Sequence, residues 1–389
     1  MSTLPENRAY PWPRLVFWET TAACNLRCSH CRRTDVLDEL SPDELSTQEA
    51  ERLIDELSGW GRTILVLSGG EPLLRSDIFH LMNYASQKGL VVALATNGTL
   101  IDQDLARRIH DSGVDRVSVS LDGADESTHD AFRRLPGSFR SAVAGLQALR
   151  AEDVPLQINV TVARHNADQL DDMVSLAKKL GAVALHFFLL VPVGCGMEIA
   201  EEQTLRADAY EETLNWLYET ERRERGLQLR ATCAPHYFRV VRQRRAAHVD
   251  GDDATPAAPP GHPGLAGSGR ERGALHAATR GCLAGTGVCF VSHSGKVYGC
   301  GYMPIEAGDL RRAGLAEIWQ ASELFGQLRD ISELKGKCGR CGFGKVCGGC
   351  RARAYGSTGD YLAEEPFCAY EPRRRSDGLP AASEEQGGV

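Results

Sequence analysis

The sequence lacks a basic surplus. Its 44 Lys and Arg stand against 52 Asp and Glu, a formal net charge of −8, so a general nucleic-acid footprint is not expected. It also lacks any apolar run of membrane-spanning length, and Met1 to Trp12 has no apolar stretch of the signal-peptide type. The expectation is a soluble, cytoplasmic protein with no membrane or nucleic-acid partner. A reducing cytosol disfavours disulfides. Yet thirteen cysteines are present among 389 residues, which points instead to metal ligation or catalysis. With 42% hydrophobic residues, the chain can build one large core and a smaller second unit.

The cysteines are unevenly placed. Cys24, Cys28 and Cys31 sit together, Cys195 and Cys233 stand alone, and Cys282, Cys289, Cys300, Cys338, Cys341, Cys347, Cys350 and Cys368 fill the last third. A thiolate-held iron–sulfur cluster normally takes four cysteines. A group of three leaves one iron open.

Apolar runs predict strands at 14–19, 63–67, 91–95, 117–121, 157–162 and 184–190. Helices are predicted between them at 46–58 (opened by the cap-like Ser46), 77–88, 102–112, 138–151 and 167–180. Six strands alternating with helices imply a parallel α/β sheet, open or closed into a barrel. Reacting groups in such sheets gather at the C-terminal strand ends. The three early cysteines, Ser68-Gly69-Gly70-Glu71-Pro72, Thr96-Asn97-Gly98 and Asp122-Gly123 all fall there. A charged helix at 206–225, a short strand and a basic helix at 236–245 follow. Residues 246–274, rich in Pro, Gly, Ala and Asp, read as a flexible loop. From Gly281 to about Tyr370 the chain is Gly- and Cys-rich, too loop-like to stand without metal, and the tail beyond Pro372 reads as disordered. The expected division is 1–230, 231–280, 281–372 and 373–389.

Cys24, Cys28 and Cys31 are spaced C-x3-C-x2-C on a loop leaving a strand. This resembles the radical S-adenosylmethionine (SAM) superfamily, whose three cysteines hold a [4Fe–4S] cluster and leave the fourth iron to the amino and carboxylate groups of SAM. The usual aromatic before the third cysteine is His30 here, another flat ring. Structural zinc sites are closed and four-coordinate, so three cysteines without a fourth ligand suit zinc poorly. Gly69 and Gly70 allow close approach of a ligand to backbone, and Glu71 offers an acceptor for an ammonium group. In the family the Gly-Gly-Glu-Pro segment holds the SAM amine. Asn97, Ser120, Asp122 and Arg164, at later strand ends, are candidates for its ribose and carboxylate. Asn97 and Asp122 equally suit ordinary turns before glycine. The fold implied is a partial (β/α)6 barrel.

Cys338, Cys341, Cys347 and Cys350 are spaced C-x2-C-x5-C-x2-C, with Cys368 beyond, and Cys282, Gly295 and Cys300 fit C-x(9–15)-G-x4-C. Together these resemble the SPASM domain, the auxiliary-cluster extension of many radical SAM enzymes. That resemblance implies two further [4Fe–4S] clusters, one on Cys282, Cys289, Cys300 and Cys350, the other on Cys338, Cys341, Cys347 and Cys368. The gap from Cys347 to Cys350 is one residue shorter than in some relatives. A double zinc ribbon is the alternative, since all-thiolate sites also suit zinc.

Three segments, Cys233–Tyr237, Arg280–Phe290 and Cys347–Tyr355 continuing to Cys368, resemble the tetrapyrrole-modifying branch, nearest the heme b synthases of the siroheme-dependent route. That resemblance implies an oxidative decarboxylase turning the two propionates of iron coproporphyrin III into vinyl groups. It also implies an iron-porphyrin substrate and a low-potential donor of flavodoxin or ferredoxin type. Arg239, Arg242, Arg244 and Arg245 are candidates for the substrate carboxylates, or else a solvated helix face. His236 is a candidate ligand of substrate iron, or a helix-start group. Cys195 and Cys233 default to buried inert thiols, Cys233 being the better candidate for the substrate pocket. Rival readings are a sister enzyme removing acetate or propionate side chains, a peptide-modifying SPASM maturase, and a non-catalytic electron carrier. The maturase is disfavoured because only 13 residues precede Arg14, too few for a peptide-binding module.

Overall fold

Strands form where the apolar runs predict them. In the computed structural model, which describes residues 12–34, 37–61, 63–248 and 281–372, seven strands lie side by side in parallel. They are β1 (Leu15–Glu19), β2 (Ile64–Ser68), β3 (Val91–Thr96), β4 (Arg116–Ser120), β5 (Leu156–Val162), β6 (Ala184–Leu189) and β7 (Gln228–Thr232). The alternation of Leu156-Gln-Ile-Asn-Val-Thr-Val162 is read out directly: the apolar residues are buried and the polar ones half-buried on the opposite face. The short strand after the charged helix is β7, a seventh parallel strand paired with β6.

The C-terminal region continues this sheet. Strand β8 (Val288–Val291) pairs in parallel with β1, Leu15 against Val288 and Trp18 against Val291, and β9 (Lys296–Tyr298) and β10 (Glu306–Asp309) follow antiparallel. The order is β10-β9-β8-β1-β2-β3-β4-β5-β6-β7, an open α/β sheet with two distinct edges rather than a closed barrel. One apolar core runs through both regions.

The helices follow their capping signals. Helix Thr47–Ser58 opens with a full capping box between Ser46 and Glu49 and buries Ala50, Leu53, Ile54 and Leu57, the 3.6-residue stripe. Helix Glu126–Arg133, among others, has no counterpart among the predicted elements. Asp125 caps it through the Thr128 N–H at 2.9 Å, and it ends on Arg134 at φ 55°. Two of its three buried residues, His129 and Arg133, are polar, so apolar periodicity does not mark it. Helix Tyr237–His248 extends three residues past the predicted end. The flexible segment from 249 onward and the tail beyond 372 lie outside the described residues. Among those residues no helix is long and apolar enough to cross a membrane.

Candidate active site

Past Glu19 the chain enters the loop of Cys24, Cys28 and Cys31, and the exit of β2 clamps it. Gly70 N–H donates to Thr21 O at 2.9 Å and Glu71 N–H to Ala23 O at 2.7 Å. A Cβ on Gly70 would stand 2.2 Å from Ala23 O, and one on Gly69 2.8 Å from Thr21 O. The close approach these glycines permit is therefore to the cysteine loop, where a ligand had been expected. Glu71 is part of the same clamp. Its carboxylate is fully buried and accepts from Thr96 Oγ1 (2.7 Å), Asn97 N–H (2.8 Å) and Leu73 N–H (3.2 Å). It ties β2 to β3, with two of these bonds on Oε1 and one on Oε2.

The three thiols lie within electrostatic reach of one another. Leu26 N–H points at Cys24 Sγ (3.4 Å) and Arg133 Nη1 at Cys28 Sγ (3.6 Å). Burial, then Glu71, Cys28 and Cys31, push the Cys24 thiol up to about 12 against the Leu26 N–H. Burial raises Cys28 as well, with Cys31 and Asp122 adding to it and Arg133 opposing. Three thiolates crowded this way need cationic compensation, which iron supplies. Structural zinc takes four ligands in a closed site, whereas three thiolates that leave one position open fit a [4Fe–4S] cluster.

Beneath Cys28 lies a buried charge network. Asp122 pairs with Arg133 Nη2 at 2.5 Å and His30 Nε2 at 3.4 Å and accepts from Thr161 N–H at 2.7 Å. Burial resists its ionisation, yet Arg133, His30 and His129 outweigh that and hold it at about 2. His30 stacks on Phe132 at 4.1 Å, and burial lowers it to about 3, so the ring is neutral. Asp122 thus holds the cysteine loop and does not present itself to a ribose. Asn97 is likewise engaged, with Asn25 Oδ1 (2.8 Å) and the Thr99 N–H (2.9 Å). Ser120 stays half-buried at the end of β4. A second network, Glu19 with Arg32 (2.5 Å), Arg33 (2.6 Å) and His293 (2.8 Å), joins the loop to the C-terminal region.

Arg164 is exposed and lines an open cavity of about 410 Å³ with Arg206, Pro192, Met197, Leu205 and Phe367. One wall is the turn Gly194–Met197, which packs on the cysteine loop: Cys195 Sγ donates to Arg33 O at 3.0 Å. That size lies within the range of small-molecule sites.

Cys338, Cys341, Cys347 and Cys368 line one cavity together with His236, Arg239, Glu365 and Tyr370. Glu365 N–H reaches Cys338 Sγ at 3.3 Å and Gly349 N–H reaches Cys347 Sγ at 3.4 Å. Two residues expected at the substrate are found here instead. Arg239 is 3% exposed and bound through both ends of its guanidinium to Glu211, so it has no fork left for a propionate. His236 is fully buried, with neither ring nitrogen hydrogen-bonded. Arg242 and Arg245 are exposed, and Arg244 donates to Asn215 at 2.7 Å. In the other expected group, Cys282, Cys300 and Cys350 lie within electrostatic reach of one another and of Cys233, whereas Cys289 has no thiol neighbour acting on it. Cys289 stands opposite the buried Val16 in the core, on the side of β8 away from the Arg32-facing Phe290, a correction that follows from strand alternation.

Residues 18–177 match the radical SAM superfamily, and residues 282–342 match the SPASM iron–sulfur cluster-binding domain. The AdoMet-dependent heme synthase of Methanosarcina barkeri is 48% identical over 363 residues, 93% of this chain and 98% of that protein. The AdoMet-dependent heme synthase of Nitratidesulfovibrio vulgaris is 45% identical over 364 residues, 94% of each chain. The Fe-coproporphyrin III synthase of M. barkeri is 30% identical over 368 residues, 91% of this chain and 87% of that protein. Streptococcus suis SuiB bound to S-adenosylmethionine has the same fold, with a TM-score of 0.69 at 15% identity over 92% of this chain and 78% of that one. The chain belongs to the radical SAM superfamily, in its SPASM-bearing branch. It is an enzyme whose cofactors are [4Fe–4S] clusters and SAM.

Arg133, His129 and Glu19 escaped the sequence reading. The first two lie on the unpredicted helix. Glu19 alone left a trace, as a charge closing an apolar strand.

Proposed function

We propose that this enzyme is a heme synthase converting the two propionates of iron coproporphyrin III into vinyl groups. The observation that carries the reading is likeness along nearly the whole chain to AdoMet-dependent heme synthases, at 48% and 45%, against 30% for the Fe-coproporphyrin III synthase. The cavity beside the cysteine loop supports it. Pro192, Met197, Leu205 and Phe367 suit a flat apolar macrocycle, and Arg164 and Arg206 suit its carboxylates.

Cys24, Cys28 and Cys31 hold the SAM-binding cluster, which when bound supplies the electron for reductive cleavage of SAM to methionine and the 5′-deoxyadenosyl radical. The substrate gives a hydrogen atom from the carbon β to its carboxylate, forming 5′-deoxyadenosine. The C–C bond to the carboxylate then breaks, CO2 leaves, the vinyl double bond forms, and one electron departs. The late cysteines, Cys338, Cys341, Cys347 and Cys368 among them, would hold auxiliary clusters able to take up that electron, and a flavodoxin- or ferredoxin-type donor would prime each turn. The chain's own part is placement: the Glu71 and Asp122 networks fix the cysteine loop against β2 and β3, and Gly194–Met197 makes loop and cavity share a wall. A cytoplasmic location suits a protein that works with a low-potential donor.

Anaerobic incubation with SAM, reductant and iron coproporphyrin III, followed by mass analysis, tests this. The expected product has lost CO2 and two hydrogens at each of two propionates. Loss of CO2 alone from the acetates of didecarboxysiroheme, with iron coproporphyrin III untouched, would assign the sister reaction instead.

A further inference from the structure

We propose that one auxiliary [4Fe–4S] cluster is held by Cys233, Cys282, Cys300 and Cys350, and that Cys289 is a core thiol carrying no metal. Cys233 lies well before the region that matches the SPASM domain, residues 282–342.

Cys289 points the wrong way. It stands opposite Val16 in the β1–β8 pairing and is 0% exposed in the main apolar core. Successive residues on a strand face opposite sides. Its neighbour Phe290 faces the active site, because the Arg32 guanidinium lies over that ring at 4.4 Å and pairs with Glu19. Cys289 therefore faces the opposite side, into the core. A one-residue register shift of β8 would be needed to turn it round, and that would bring Phe290 into the core in its place.

Cys233 is held where a ligand is wanted. It follows β7 directly and adopts φ 55°, a left-handed conformation uncommon for a residue with a side chain. Such strain persists when the surroundings over-determine it. Here Arg353, itself 0% exposed, donates to Cys233 O through both terminal nitrogens at 2.9 and 2.6 Å. Arg353 also pairs with Glu365 at 3.4 Å, and Glu365 accepts from the Cys350 N–H at 2.7 Å. Cys282 N–H donates to Cys347 O at 3.3 Å, and a Cβ on Gly281 would stand 2.6 Å from Pro235 Cβ. Three chain segments thus cross at one point, each bringing one of these cysteines. Cys300 comes from the fourth side: a Cβ on the adjoining Gly301 would meet the Phe290 ring at 3.1 Å, on the site-facing surface.

Cys233 lies within electrostatic reach of Cys350, Cys300 and Cys282, and Cys300 within reach of Cys350 and Cys282, whereas no thiol acts on Cys289.

The test is iron and acid-labile sulfide per chain in anaerobically reconstituted Cys233→Ala and Cys289→Ala, with EPR of the reduced proteins. Both are made in a Cys24→Ala/Cys28→Ala/Cys31→Ala background, so that only auxiliary clusters contribute. Cys233→Ala is expected to lose about one to four irons per chain, a cluster reduced to a three-iron form or lost. Cys289→Ala is expected to keep its full iron and an unchanged spectrum. Full iron in Cys233→Ala, or a lost cluster in Cys289→Ala, overturns the assignment. Should Cys233→Ala fail to fold, Cys233→Ser decides: an oxygen ligand must alter the EPR signal of one auxiliary cluster, and an unaltered signal overturns the proposal. These readouts involve no porphyrin, so they stand or fall apart from the substrate reading.

Discussion

The three-cysteine loop and the auxiliary cysteine groups offer the same donor atoms by different means. The loop is tied by protein alone: backbone bonds to Thr21 and Ala23, the buried Glu71 carboxylate, and the Asp122–Arg133 pair beneath Cys28. The region around Cys338, Cys341, Cys347 and Cys368 has only helices of five and eight residues and turns rich in glycine. Its cavity brings the four thiols together with His236, Arg239, Glu365 and Tyr370. Arg351 and Glu365 tie this region as well, Arg351 to Tyr361 O and Ala363 O and Glu365 to the Cys350 N–H, but its elements are shorter, so it is expected to draw more of its order from metal.

The largest expected effect lies in the loop. Cys28→Ser should abolish 5′-deoxyadenosine release, read by chromatography after reduction with SAM present, while the circular dichroism of the sheet is unchanged. Undiminished release would break the assignment of the open cluster. Chelation should act on the other side of the comparison. Metal-stripped protein should be cut within 331–372 at least roughly tenfold faster than holoprotein, with β1–β7 resistant, by limited proteolysis and mass spectrometry. Equal cutting throughout would erase the contrast between the regions.

Arg133→Gln should come next. It leaves Asp122 buried without its cationic partner, at a cost of about 3–5 kcal/mol, measurable by denaturant unfolding. A smaller cost would mean that the loop, too, relies on metal. The mildest expected change is at the cavity. Arg164→Gln should raise the porphyrin KM roughly fivefold, the worth of a half-solvated ion pair near 1 kcal/mol, while the exposed Arg242→Gln leaves it unchanged. The reverse pattern would return the substrate to the basic helix.

Much of the architecture was legible from the chain. The strands announced themselves because each is a short apolar run, and the loop chemistry because three cysteines at x3 and x2 spacing leave little else to propose. Helix Glu126–Arg133 was hidden, since it buries His129 and Arg133 and shows no apolar stripe. Gly69, Gly70 and Glu71 were visible as special, but their packing against the cysteine loop was not. Nothing local says that the backbone approaching them is Ala23 and not a ligand.

Spacing along the chain determined by itself that this protein is built around clustered thiolates on a parallel α/β sheet, because periodicity and ligand count are local properties. Which thiolates meet was decided only in three dimensions. Strand alternation turns Cys289 into the core, and the Arg353 bonds at the end of β7 bring Cys233 beside Cys350 from over a hundred residues away. Facing is set by pairing register, and register exists only once the sheet has formed.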